Sequence, residues 1–125
     1  KLKITNPVVA QEHVFENRPW GRFEVLRDES HYKSKVIHIL PKSQISYQSH
    51  AKREEHWFIT KGDGEVVLDD QVIKVGSGSY IKIPLGAKHR IRNTGDQVIE
   101  FIEVQMGTYF GEDDIVRYQD DYKRH

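Results

Sequence analysis

The chain has no cysteine, which excludes disulfides, thiolate metal ligands and a cysteine nucleophile. Surplus charge is missing too: Lys and Arg number 19, and so do Asp and Glu. No net field therefore draws the protein to nucleic acid or to an anionic membrane surface. No apolar run approaches the length of a membrane span, and no signal-peptide pattern opens the sequence. A soluble cytoplasmic protein with neither nucleic-acid nor membrane partners is the expectation. Linkers, low-complexity tracts and short repeats are also absent. At 125 residues, what remains is one domain, large enough for a single proper core.

What is present is a succession of short strands. Residues 1–17 are polar and weakly patterned and read as an arm laid over the body, leaving 18–125 as the single domain. Arg18-Pro19-Trp20-Gly21 is a turn leading into an alternating strand, Arg22 to Leu26. Lys33 to Leu40 carries apolar residues on both faces, as an interior strand would. Glu65 to Leu68 and Gln71 to Val75 flank Asp69-Asp70, a hairpin with a two-residue loop. Ser79 to Ile83 and His89 to Asn93 are short strands; Val98 to Gln105 is a long one. The acid-led tail, Glu112 to Tyr118, reads as a short C-terminal helix. Its expected role is to cap the mouth of the fold through Tyr109, Phe110, Ile115 and Tyr118, with Arg117 projecting toward the interior. Many short strands at regular turn spacing predict an all-β sandwich or small barrel.

The sharpest chemical signal is a set of four residues. Gln48 and His50, two apart on a strand, leave the same face. Glu55 follows a basic bend and opens the strand Glu55 to Thr60, and His89 arrives behind the turn Pro84-Leu85-Gly86. Two oxygens and two imidazole nitrogens make an ordinary divalent-metal set. A lone histidine at a sheet end would be polar decoration; four ligand types at strand ends that the fold can bring together point to a metal. His56 rivals Glu55 as a ligand type, but if Trp57 faces inward, strand alternation turns His56 away. By simple addition one carboxylate leaves a divalent ion at about +1, and open coordination positions would make it a Lewis acid.

Other charges near these residues include Lys35, Lys52, Arg53, Lys88, Arg90 and Arg92, most of them expected as solvated surface groups. Lys35 shares strand parity with Ile37 and Ile39 and is expected to be buried. Glu103 shares a face with Ile99, Phe101 and Gln105, so it is either paired with a cation or poised for proton transfer.

The spacing Gln48-x-His50-x4-Glu55-x6-Gly62 resembles the first motif of the cupin superfamily, with Gln where many members carry His. Gly78-x5-Pro84-x-Gly86-x2-His89-x3-Asn93 resembles the second at every anchor. The resemblance implies a cupin double-stranded β-helix. It narrows further with Arg18-Pro19-Trp20-Gly21, Arg53-Glu54-Glu55-His56-Trp57, Glu103-Val104-Gln105-Met106-Gly107 and Gly111-Glu112-Asp113-Asp114-Ile115-Val116-Arg117. In that order these segments resemble the isomerase domain of type II phosphomannose isomerases, commonly the C-terminal part of a bifunctional mannose-1-phosphate guanylyltransferase. What this implies is interconversion of mannose 6-phosphate and fructose 6-phosphate through a cis-enediol. The metal would be held by Gln48, His50, Glu55 and His89. Zinc is the first expectation, with manganese, cobalt, nickel and iron as alternatives. Arg117 is expected to be catalytic or to contact phosphate, Glu103 to be the base, and Arg18, Lys35 and Arg53 to seat the phosphate. The nucleotide motif of the guanylyltransferase half is absent, so these residues are not expected to make GDP-mannose. Exposed strand edges of such folds are often covered by a partner, and a homodimer is expected. A non-catalytic sugar-phosphate-binding module and a metal-dependent oxygenase are the two alternatives.

Overall fold

The computed structural model of the chain describes residues 15–119. They form eleven strands: β1 (Phe15–Arg18), β2 (Gly21–Asp28), β3 (Tyr32–Ile39), β4 (Tyr47–Ser49), β5 (Arg53–Lys61), β6 (Gly64–Leu68), β7 (Gln71–Val75), β8 (Tyr80–Ile83), β9 (His89–Arg92), β10 (Ile99–Gly107) and β11 (Val116–Gln119). A six-stranded sheet runs β1-β2-β3-β10-β5-β8 and a five-stranded sheet β11-β4-β9-β6-β7. All pairings between these strands are antiparallel. The all-β expectation holds, and β3 and β10 lie in the sheet interior as their two-sided apolar patterns require. No described helix is long and apolar enough to cross a membrane.

Local chemistry explains the turns. Asp69 and Asp70 both adopt positive φ (47° and 69°), the geometry of the tight turn that joins β6 to β7 without splaying them. At Gly21, φ is +154° and an added Cβ would lie 1.9 Å from the His38 carbonyl oxygen. Only glycine lets β2 start so close to β3.

Both sheets contribute to one core, including Ile37, Ile39, Ile59, Ile99 and Phe101 from the larger and Val66, Val75 and Ile91 from the smaller. Ile39, Ile59, Val66, Ile91 and Ile99 are fully buried, each worth roughly 1.5–3 kcal/mol relative to exposure. Along β10 the inward positions change character. Ile99 and Phe101 are hydrocarbon, whereas Glu103 and Gln105 are buried polar groups. One end of the interior is thus a packed core and the other a polar chamber.

The tail departs from expectation. Residues 112–114 are turn and bend, and Val116–Gln119 is a strand, not a helix. β11 pairs with β4, Val116 opposite Ser49 and Arg117 opposite Gln48. The acids that suggested a helix start are spent elsewhere. The Asp114 carboxylate accepts hydrogen bonds from the Ala51 and Lys52 amides (3.1 and 2.9 Å), and β-branched Ile115-Val116 favours extension. Of the segment expected as an arm, Phe15–Asn17 belong, with Arg18, to an edge strand on β2; residues 1–14 lie outside the described residues.

Candidate metal centre and cavity

Strand alternation delivers the polar chamber. On β5, Arg53, Glu55, Trp57 and Ile59 face inward, while Glu54, His56 and Phe58 face out. His56 hydrogen-bonds Glu54 Oε2 (2.6 Å) and the Tyr80 hydroxyl (2.5 Å) on that outer face. Register then sets two cross-strand rows. Lys35 on β3 sits opposite Glu103 on β10, which sits opposite Trp57 on β5. One step along, Gln105 is opposite Glu55. From the second sheet, Gln48 on β4 lies opposite His89 on β9.

His50, Glu55 and His89 converge, each offering one ligand atom within 4.8 Å of the others. Glu55 Oε2 lies 3.3 Å from His50 Nε2, and Glu55 Oε1 lies 3.7 Å from His89 Nε2. Ligand atoms held about 2.1 Å from a common ion stand roughly 3–3.5 Å apart, so the spacing fits a metal. The tautomers fit as well. His50 Nδ1 donates to the Asp114 carbonyl (2.6 Å) and His89 Nδ1 to the Ala87 carbonyl (3.0 Å). Each ring is thereby fixed with a bare Nε2 facing the chamber, the usual support of a ligating imidazole.

The decisive detail is His89 Nε2: it is fully buried and has no hydrogen-bond partner. Leaving a buried polar atom unmatched costs about 1–3 kcal/mol, a cost that a metal ion would remove. His50 Nε2 takes a long hydrogen bond from Arg53 Nη2 (3.2 Å), which an ion would replace. Burial, the largest influence on His50, lowers its pKa and favours the neutral ring that a metal requires. Gln48 lines the same cavity and accepts from the Ser46 hydroxyl (2.7 Å).

Two buried carboxylates stand side by side with opposite tendencies. Burial raises Glu55, but His89, Arg53 and His50 outweigh it and bring its pKa down to about 2. Burial, reinforced by the negative charge of Glu55, pushes Glu103 up to about 8. The Trp57 indole N–H bridges them, donating to Glu55 Oε1 (2.9 Å) and Glu103 Oε1 (3.1 Å). Gln105 Nε2 donates to Glu103 Oε2 (2.6 Å).

The cavity, about 140 Å³, is also lined by Arg18, Lys35, Arg53, Glu112, Ile115 and Arg117. Gln48, His50, Glu55, Glu103, Lys35, Arg53, Arg18 and Arg117 thus line one cavity, and His89 approaches it through Glu55 (3.7 Å); Lys52, Lys88 and Arg92 are not among its lining residues. Some are otherwise engaged. Arg53, only 4% exposed, donates from Nε to Glu55 Oε2 (2.9 Å). Arg18 contacts Glu16 (2.6 Å) and the Asn17 carbonyl (3.2 Å). Arg90, expected as a solvated charge, is buried and donates to the Ile45 carbonyl (3.0 Å). Of the residues expected to cap the mouth, Ile115 lines the cavity, as does Glu112; Tyr109 and Tyr118 are exposed and bond Asp113 and Ser49 instead. Sequence reasoning missed Glu112 and Asp114, whose only signal was the need of a buried Lys35 and an unsatisfied bend at 51–52 for acidic partners.

The family model "Mannose-6-phosphate isomerase C-terminal" matches residues 5–120. The chain belongs to this family. Among curated relatives, the xanthan biosynthesis protein XanB of Xanthomonas campestris is 41% identical over 107 residues, 86% of this chain and 23% of its own length. The alginate biosynthesis protein AlgA of Pseudomonas putida is 39% identical over 114 residues, 91% of this chain and 24% of its own. A mannose-1-phosphate guanylyltransferase of Salmonella montevideo is 37% identical, with 99% of this chain and 26% of its own covered. The chain thus spans about a quarter of the length of these relatives. Among solved structures, Pac13 of Streptomyces, a nucleoside dehydratase, superposes with a TM-score of 0.75 at 14% identity, covering 96% of this chain and 92% of its own. A Klebsiella pneumoniae protein with a double-stranded β-helix domain gives 0.73 at 17% identity, covering 94% and 97%. These likenesses show the fold, a cupin-type double-stranded β-helix, and leave the chemistry to the site.

Proposed function

We propose that this member of the mannose-6-phosphate isomerase C-terminal family is a metal-dependent aldose–ketose isomerase, interconverting mannose 6-phosphate and fructose 6-phosphate through a cis-enediol. The observation that carries the reading is the meeting of two Nε2-presenting imidazoles and an ionised carboxylate beside a second buried carboxylate, in a cavity rimmed by cations. Gln48, His50, Glu55 and His89 would hold a divalent ion, zinc first among the candidates, which when bound supplies Lewis-acid polarisation of the sugar oxygens at C1 and C2.

The remaining work falls to side chains of this chain. Glu103 is the candidate to carry the proton between C1 and C2, since its carboxyl group is held in place by Trp57 and Gln105; with its pKa pushed up to about 8 the ionised fraction that can act as the base grows as pH rises toward that value. Arg117 and Lys35, with Arg18 at the rim, supply positive charge for the phosphate. Arg53 positions Glu55 through its Nε bond rather than serving primarily as a phosphate ligand. The reading takes the protein as cytoplasmic and supplying mannose-derived precursors for polysaccharide, consistent with relatives named for xanthan and alginate biosynthesis, and as a homodimer.

A coupled assay with mannose 6-phosphate, run alongside metal analysis, tests it. Turnover should vanish with chelator and return with a divalent ion. Tight binding without turnover would assign a sugar-phosphate-binding module instead, and oxygen uptake with an iron requirement would assign an oxygenase.

A further inference from the structure

Lys35 has an unusual partner. Its side chain is 6% exposed, yet the carboxylate that neutralises it belongs to Glu112, whose side chain is 57% exposed (Nζ to Oε2 3.0 Å). The ammonium otherwise rests 4.4 Å over the Phe23 ring. Burying a lysine is costly without an anion nearby; Glu103 faces Lys35 across the strand pair, but the direct ion pair is made by Glu112, so a negative group is the fitting replacement for Glu112. The half-exposed Glu112 carboxylate, by contrast, regains water when it leaves, which offsets part of the attraction it gives up to Lys35, Arg53 and Lys33. Glu112 also sits on a segment fastened independently, because Asp114 holds the Ala51 and Lys52 amides. Glu112 can therefore swing away while 113–115 stay in place.

We propose that Glu112 is an internal surrogate for the ligand's anionic group. It occupies Lys35 in the free protein and is displaced when the phosphate of a phosphorylated sugar takes that seat. The inference deepens the isomerase reading and rests on it for the identity of the ligand. Its chemistry is simple exchange: a monoanionic carboxylate, tethered and half in water, gives way to a phosphate dianion that makes stronger charge-assisted hydrogen bonds. Glu112 thereby guards Lys35 against uncharged sugars, which cannot compensate the ammonium.

The test is calorimetric titration of the 125-residue chain with inorganic phosphate, with mannose 6-phosphate and with mannose, in the metal-loaded and the chelated protein. Glu112→Gln should bind inorganic phosphate about fivefold more tightly than the unmodified chain, the size expected for removing a competing, partly exposed ion pair. That gain should persist in chelator and be absent for mannose. Lys35→Gln should lose most phosphate affinity, and adding Glu112→Gln to it should give no gain. Should Lys35→Gln fail to fold, the Glu112→Gln titration decides alone. Unchanged or weakened phosphate binding by Glu112→Gln would overturn the proposal and leave Glu112 as a structural tie. The isomerase reading fails separately: absence of turnover with tightened phosphate binding would sink the enzyme and keep the displacement.

Discussion

Replacing Glu55 by alanine perturbs two things at once, and the structure allows them to be separated. Glu55 is 1% exposed and both of its oxygens are in use. Oε2 accepts from Arg53 Nε (2.9 Å) and lies 2.9 Å from Arg53 Nη2, while Oε1 accepts from Trp57 (2.9 Å). Glu55→Ala would leave Arg53, 4% exposed, without its main counter-ion, and breaking a buried pair on one side costs roughly 3–5 kcal/mol. Trp57 keeps Glu103 as an acceptor, and Arg53 keeps the attraction of Glu103, so the low end, about 3 kcal/mol, is expected. For a domain of this size that is roughly 10 °C in melting temperature. Urea unfolding followed by circular dichroism in chelator measures this loss without any contribution from metal. Adding a divalent ion at a hundred times its dissociation constant should then stabilise the unmodified protein by about 2.7 kcal/mol and leave the variant unchanged. Glu55→Gln, which keeps one acceptor oxygen for either Arg53 or Trp57 but no charge, should recover only part of the stability and not the metal. A variant as stable as the parent in chelator would refute the ion-pair reasoning. One that retains stoichiometric metal would refute the ligand assignment.

Other expectations follow from the same geometry. His56→Ala should keep its metal and lose no more than about 1 kcal/mol, since its bonds to Glu54 and Tyr80 lie on the outer face; elemental analysis and a thermal melt check this. Asp114→Ala removes the acceptor of two amides and should cost about 1–2 kcal/mol. It should also weaken metal binding on the order of tenfold by loosening the carbonyl that orients His50, measured by chelator competition. Gly21→Ala forces a Cβ against the His38 carbonyl and should cost roughly 3 kcal/mol, read from urea midpoints.

Much of this was legible because strand parity is a strict rule. Trp57 inward meant Glu55 inward and His56 outward, and the coordinates place them so. Asp69-Asp70 between two β-rich runs announced its turn, since few residues tolerate two successive positive φ values. Glu103 could be placed on the inner face by counting from Phe101, but not given partners, because Trp57 and Lys35 reach it only through pairings with β5 and β3. The tail failed for a related reason. An acid-rich segment before Ile115-Val116 satisfies the local signature of a helix start, yet tertiary demand decided its fate. Two amides at 51–52, a buried ammonium at Lys35 and the open edge of β4 drew it into extended form.

Both tryptophans of the chain, Trp20 and Trp57, line the one chamber. The intrinsic indole emission of this 125-residue chain is consequently a signal from that chamber, with no tryptophan background from elsewhere in the domain. Because the Trp57 N–H is shared between Glu55 and Glu103, any ion or sugar that redistributes charge on those acids should shift the spectrum. The molecule carries its own optical titration probe, and no label is needed to watch the site fill.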